Sequence, residues 1–220
     1  KLDSLKLAFD ENGTVTAATS SPLTDGAAVT LICEENFAKE NSLEILGRIK
    51  STAVEGCDPN FMGLGPISAT RKALERAKLS IKDIDIIELN EAFASQSLAC
   101  IKDLEIDIKK VNLDGGAIAL GHPLGATGAR ITGKAAQLLK RERKKYALST
   151  QCIGLGMGIA TIIEAVWFFY LLIPLSLSDL LLNNSAVTKI RVDITIKHVA
   201  TAIIVGLNCS LKPTHILIGI

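Results

Sequence analysis

Hydrophobic and polar positions along the first 166 residues alternate in short blocks, and the repeat switches between the two-residue period of strands and the longer period of helices. Residues 45–54 alternate as a strand and stop at the turn Asp58-Pro59-Asn60. Pro66 is placed to open a helix reaching Lys78 through Ala, Leu, Arg and Lys, all good helix formers apart from the opening proline. The Ile-rich run 84–89 predicts a short buried strand, and residues 91–104 predict a helix with Phe93, Leu98 and Ile101 near one face. A longer helix is predicted over 125–143, with strands over 146–151 and 159–166. Weaker patterns suggest a strand at 14–17, an apolar run at 27–33 before a polar helix at 34–40, and a strand entering a loop over 111–120. Alternation of this kind predicts an α/β fold in which helices cover a mixed sheet.

The pattern stops at Val166. The last 54 residues hold only six charged side chains, Asp179, Lys189, Arg191, Asp193, Lys197 and Lys212, and begin with Trp167-Phe168-Phe169-Tyr170. A membrane span needs about 20 apolar residues, whereas the uncharged run from Ala165 ends before Asp179 and contains Pro174. No turn chemistry or amphipathic period organises this part. The expectation is therefore one domain over 1–166, followed by a hydrophobic tail at 167–220 of doubtful nativeness. Three readings compete for the tail: an appended element, a membrane anchor, or sequence translated outside the native frame, the last being favoured. The first residue is Lys1 and not Met, which suggests a fragment or a processed product.

Composition narrows the function classes. With 24 basic and 23 acidic residues the net charge is +1, so no basic footprint points to a nucleic-acid partner. The run Lys140-Arg141-Glu142-Arg143-Lys144-Lys145 falls where a helix ends and complements its dipole there. Five cysteines without a C-x-x-C pair argue against zinc and against a disulfide framework, and fit a reducing compartment. Cys33 and Cys100 sit in apolar patterns as small core residues. Cys152 alone has surroundings that suggest reactivity.

Two glycine-framed segments carry the candidate chemistry. Gly121-His122-Pro123-Leu124-Gly125 presents an imidazole, and Gln151-Cys152-Ile153-Gly154-Leu155-Gly156-Met157-Gly158 presents a thiol. Glycines permit close approach of a ligand to the backbone, and an imidazole beside a thiol serves acyl transfer through thioesters. Read singly, each has a plainer account: a structural His122, a buried Cys152 before a tight turn, and an Asn90 that caps the next helix. The run Gly128 to Lys134 has phosphate-loop spacing but is followed by Ala135 where a Ser or Thr would bind magnesium, and it lies inside a predicted helix.

The stretch from Gly115 to Arg130 matches the histidine motif of the thiolase family over its whole length, and Asn90-Glu91-Ala92-Phe93-Ala94 and the Cys152 loop match two further thiolase motifs. The chain thus resembles the C-terminal half of a thiolase, over about residues 2–166, with the end of the N-terminal or loop region as an alternative for its first residues. Leu155 and Gly56-Cys57-Asp58-Pro59 resemble the fatty-acid-degrading 3-ketoacyl-CoA thiolases in particular. The resemblance implies one half of a layered α-β-α-β-α sandwich, with apolar surface exposed where the other half belongs. By the same resemblance, His122 deprotonates a nucleophilic cysteine that lies outside this chain, and its ring N–H helps to hold an oxyanion. Cys152 is the general acid and base, Gly154 an oxyanion donor, and Asn90 holds a water; ketosynthases have histidine at the position of Asn90. Ala17 and Ser21, flanked by Ala92 and Phe93, together with Met62, would line the pantetheine tunnel. The implied activity is thiolytic cleavage of 3-ketoacyl-CoA or its reverse, with coenzyme A as substrate and no cofactor or metal. A homodimer or homotetramer is implied for the intact protein, in bacterial cytoplasm or in a mitochondrial or peroxisomal matrix, with no nucleic acid or membrane partner. The competing reading is a noncatalytic thiolase-like chain that binds acyl-CoA or pairs with a complete subunit.

Overall fold

The computed structural model describes residues 4–166 and, as backbone only, the four residues His215–Ile218. The expectation for the tail at 167–220 otherwise lies outside the described residues. Six strands form one mixed sheet: β1 (Leu31–Glu34), β2 (Gly47–Gly56), β3 (Ile86–Leu89), β4 (Tyr146–Ile153), β5 (Met157–Glu164) and β6 (His215–Ile218). Their order across the sheet is β1-β6-β2-β5-β4-β3. Among the described strands only β3 and β4 pair in parallel, with Ile86 opposite Ala147 and Leu89 opposite Thr150. The β4–β5 pair is a hairpin closed between Ile153 and Met157, and β2 lies on the other side of β5.

Helices cover both faces. They are α1 (Glu35–Glu40), α2 (Gly65–Ala77), α3 (Ala94–Asp103), α4 (Ala117–Leu120) and α5 (Thr127–Glu142). Successive strand residues point to opposite faces, and the core divides accordingly. Ile87, Leu148 and Ile162 pack with Ala69, Ala73 and Leu74 of α2 and Cys100 of α3. Ile86, Ala147 and Ile163 pack with Ala135, Ala136, Leu138 and Leu139 of α5. Alanines at the contact let the helices sit close to the sheet. The basic run ends α5 in solvent, as its composition suggests: Arg143 takes the left-handed cap at φ 52°, and Arg141 grips Asp114 at 2.6 and 2.9 Å.

Three local expectations need correction. Residues 14–17 form no strand but a single bridge from Thr16 to Leu7 and a short 3-10 turn, Ala17–Thr19. The Thr16 amide donates to Thr19 Oγ1 at 2.8 Å and Ser20 Oγ donates to the Thr16 carbonyl at 2.8 Å, so hydroxyls take the bonds that a ladder needs. Over 111–120 the strand shrinks to one bridge between Val111 and Ile87, and the chain turns at Asn112 (φ 49°) into α4. The Asn112 side chain replaces the missing strand, donating to the Leu89 carbonyl and accepting from its amide, both at 2.9 Å. Finally, α3 starts only at Ala94 and buries Gln96, Ser97 and Cys100, while Leu98 is exposed beside Ile101 and Ile108 in an apolar cleft of about 410 Å³.

The close packing of α2 on β5 depends on glycine. A Cβ on Gly158 would lie 2.1 Å from the Gly65 carbonyl, backbone against backbone. Leu155 presents the opposite case, an exposed side chain held at φ 70° in the hairpin loop. Urea denaturation of Gly158→Ala is expected to show a loss of at least about 1–3 kcal/mol. Leu155→Gly is expected to gain roughly 1 kcal/mol by relieving left-handed strain.

Candidate active site

Parallel strands deliver their carboxyl ends to the same edge of a sheet, which is where α/β folds build sites. Here β3 runs into Asn90, whose amide donates to the Thr150 carbonyl at 3.0 Å, and β4 runs on to Cys152. Asn90 is buried and lies three residues before Phe93, the cap position of α3. The plain capping account of Asn90 therefore fails. Its Nδ2 instead faces His122 Nε2 at 3.4 Å, and its Oδ1 is buried without a partner among the described residues.

His122 reaches this position through a turn that needs glycine. Gly121 has φ 100°, and a Cβ there would meet the Thr24 side chain at 2.5 Å. The other ring nitrogen, Nδ1, lies 2.7 Å from Thr127 Oγ1. That hydroxyl gives its one hydrogen to the Pro123 carbonyl at 3.0 Å, so it can only accept from the ring. Nδ1 accordingly carries the proton, and Nε2 carries the lone pair, facing the Asn90 amide. Burial, reinforced by the positive charge of Arg130, holds the His122 pKa below the usual 6.5. The ring is a neutral base at neutral pH.

Cys152 is half-buried, opposite Gly158 in the β4–β5 ladder. Burial pushes its thiol pKa up, with a smaller push from Cys57. It therefore holds its proton at neutral pH. The hairpin loop beside it is pinned by the Cys57 amide, which donates to the Gly156 carbonyl at 2.8 Å. Gly156 has φ 89°, and a Cβ there would press on Cys57 and Pro59. At Gly154 nothing lies within 4 Å of where a Cβ would stand, which leaves that backbone open to an approaching group.

The structure gathers most of the proposed tunnel residues. Ser21 N–H donates to the Ala92 carbonyl at 3.0 Å, Ser20 bridges Phe93, and Ala17 lies one turn earlier, exposed. Met62 lies on the segment whose Phe61 and Met62 carbonyls face the Cys57 thiol. Two contributors escaped the sequence reading. Thr127 orients His122, and its only signal was the His-x-x-x-x-Thr spacing. Glu91 anchors the loop before His122, accepting from Asn112 Nδ2 at 2.7 Å and from the Ile118 amide at 3.1 Å. Its carboxylate occupies the space that a Cβ on Gly116 would fill.

Comparison with known proteins identifies the family. The family of the thiolase C-terminal domain matches residues 43–165, and that of the thiolase N-terminal domain matches residues 1–36. The chain belongs to the thiolase family. It is 58% identical over 167 residues to the 3-ketoacyl-CoA thiolase of Vibrio parahaemolyticus, covering 74% of this chain and 43% of that protein. The 3-ketoacyl-CoA thiolase of Shewanella frigidimarina is 56% identical over 169 residues, covering 75% and 44%. The crystal structure of human mitochondrial 3-ketoacyl-CoA thiolase in complex with CoA superposes with a TM-score of 0.69 at 46% identity, over 74% of this chain and 41% of that one. The acetyl-CoA acetyltransferase of Bacillus anthracis gives a TM-score of 0.73 at 47% identity, over 75% and 42%. The expected α/β thiolase architecture is thus present, and the chain spans less than half the length of these relatives. Among the described residues no cluster of ligands suits a metal, and no helix is long and apolar enough to cross a membrane.

The tautomer of His122 is directly measurable. Replacing Thr127 by Val removes the acceptor for Nδ1–H at nearly constant volume. Nitrogen-15 spectra of labelled histidine should show a single Nδ1–H form for native His122, and a mixture of the two neutral tautomers in Thr127→Val.

Proposed function

We propose that the protein to which this chain belongs is an acetyl-CoA C-acyltransferase that cleaves 3-ketoacyl-CoA with CoA, giving a shortened acyl-CoA and acetyl-CoA, or runs the reverse condensation. The observation that carries this reading is the approach of His122 Nε2 to Asn90 Nδ2 at 3.4 Å, beside the sheet edge that also presents Cys152. The scheme uses complementary protonation states, a base without its proton and a thiol with one.

The nucleophilic thiol in this scheme lies outside these 220 residues. His122 Nε2 takes its proton, and the thiolate adds to the C3 carbonyl of the 3-ketoacyl-CoA. Collapse of the tetrahedral adduct breaks the C2–C3 bond and leaves an acyl thioester on the nucleophile. The departing acetyl-CoA carbanion takes the proton of Cys152. Cys152, now a thiolate, removes the proton from the incoming CoA thiol, which attacks the acyl thioester and releases acyl-CoA. The nucleophile leaves as thiolate and recovers its proton from the His122 imidazolium, so both groups return to their starting states. Protonated Nε2, with Asn90 and its water, stabilises the first oxyanion, and the open backbone at Gly154 stabilises the second.

Ala17, Ser21, Ala92 and Phe93 line the pantetheine arm in this reading, with Met62 on the side of the thiols. CoA is a substrate and no further cofactor takes part. The intact protein works as a homodimer or homotetramer. Free Cys33, Cys57, Cys100 and Cys152 suit a reducing interior, whether bacterial cytoplasm or a mitochondrial or peroxisomal matrix.

Thiolysis assays test the scheme. In the full-length protein, His122→Asn and Cys152→Ser should each lower kcat by at least about 100-fold, and the 220-residue chain alone should give no turnover. Near-native turnover in either variant would remove the role assigned to that residue. The pH dependence has a defined sign. Because burial depresses the His122 pKa, the acid limb of kcat/KM should fall below pH 6.5. The same depression means the unfolded chain binds more protons at low pH, so stability should decline as pH falls below 6.5.

A further inference from the structure

The segment that carries Met62 is held by two different elements. Residues Pro59–Leu64 form a 3-10 stretch kinked at Phe61, whose φ of −121° and ψ of 37° leave the helical range. A stretch kinked in this way does not hold its course by regular backbone bonding, so its neighbours set its position. Its start is tied to the Cys152 hairpin: the Cys57 amide donates to the Gly156 carbonyl at 2.8 Å, and Gly156 lies against Pro59. The Cys57 thiol faces the Phe61 and Met62 carbonyls at 3.8 and 3.9 Å.

Its far end is tied to α3, through side chains that the reaction scheme leaves unused. Gln96 and Cys100 are spaced by four on that helix, which places them on one face, and both are buried. Ser97 Oγ donates to Gln96 Oε1 at 3.3 Å, and Gln96 Nε2 donates to Cys100 Sγ at 3.5 Å. The Cys100 thiol in turn donates to the Gly63 carbonyl at 3.5 Å. Burial pushes that thiol up to about 11, so the sulfur keeps the proton it donates. Glycine is what admits the contact, because a Cβ on Gly63 would lie 2.8 Å from Gln96 Cγ.

We propose that Cys100, oriented by Gln96, is a positioning residue that latches the Gly63 carbonyl to α3 and so sets where Met62 stands against the acyl-CoA. The inference rests on reading Met62 as part of the wall for the pantetheine arm. Met62 is joined to Gly63 by one peptide bond, so whatever fixes the Gly63 carbonyl fixes the Met62 backbone as well. Neither Gln96 nor Cys100 touches substrate in this account.

The test uses the full-length protein and two readouts. The first is the rate at which iodoacetamide alkylates Cys57, followed by peptide mapping so that each cysteine is counted separately. Cys100→Ala removes the donor to Gly63, and the freed segment should raise the Cys57 rate about fivefold. Cys100→Ser retains a donor at that place and should stay near the native rate. The second readout is steady-state thiolysis. Cys100→Ala should raise the KM for 3-ketoacyl-CoA roughly threefold or more with kcat little changed, since Met62 serves binding and not the chemistry. A purely structural loss would reduce the amount of active enzyme, lowering kcat and leaving KM where it was. An unchanged Cys57 rate or an unchanged KM in Cys100→Ala overturns the proposal. If that variant does not fold, Gln96→Met decides by the same two readouts, since it keeps the stem beside Gly63 and deletes the amide that orients the thiol. Absence of thiolysis in the native protein would instead sink the function proposed above, and with it the role given to Met62, while the Cys57 rates would still show whether the latch holds.

Discussion

The amide of Asn90 donates to the Thr150 carbonyl at 3.0 Å, adding one rung to the parallel β3–β4 ladder beyond Leu89. Everything at the site depends on that parallel register. It brings a carboxamide and a thiol from segments some sixty residues apart to the same edge of the sheet. An antiparallel arrangement would send them to opposite ends. The register is held from both faces, by α2 and α3 on Ile87 and Leu148 and by α5 on Ile86 and Ala147. A slip of one residue would turn each buried side chain to the wrong face, so burial enforces the alignment that the chemistry uses.

The loops bearing His122 and Cys152 are positioned by glycines that have no alternative. Gly121 turns the chain at φ 100° against Thr24, Gly116 admits the Glu91 carboxylate, and Gly156 lies against Cys57 and Pro59. Gly154 differs, because nothing crowds it. Three of these glycines are explained by packing within the chain. The open space at Gly154 fits the oxyanion role proposed for it.

Much of this was legible in the sequence where one period dominated. The blocks at 45–54, 66–78, 125–143 and 146–151 became β2, α2, α5 and β4 with ends shifted by a few residues. Legibility failed where side chains compete with backbone pairing. Thr16, Thr19 and Ser20 turned an apparent strand into a 3-10 turn, and Asn112 stood in for a strand by bonding Leu89 with its amide. Such bonds leave no periodic trace. The motifs located His122, Cys152 and Asn90, but the roles of Thr127 and Glu91 depend on where a loop folds back, which spacing alone does not encode. The family likeness also named the chemistry before any geometry was known, and the geometry then supplied the ring tautomer.

Taken together, the edge formed by β3 and β4 presents Asn90 and Cys152, with His122 facing Asn90 from the loop after α4, and these are the groups to which the proposed scheme gives its acid, base and oxyanion roles. The most direct measurement is peptide mapping by mass spectrometry after the full-length protein meets one equivalent of 3-ketoacyl-CoA without free CoA. The account predicts an acyl group on a cysteine outside these 220 residues, and none when His122 is replaced by Asn. An acyl group found on Cys152 or Cys57, or unchanged acylation in His122→Asn, would contradict it.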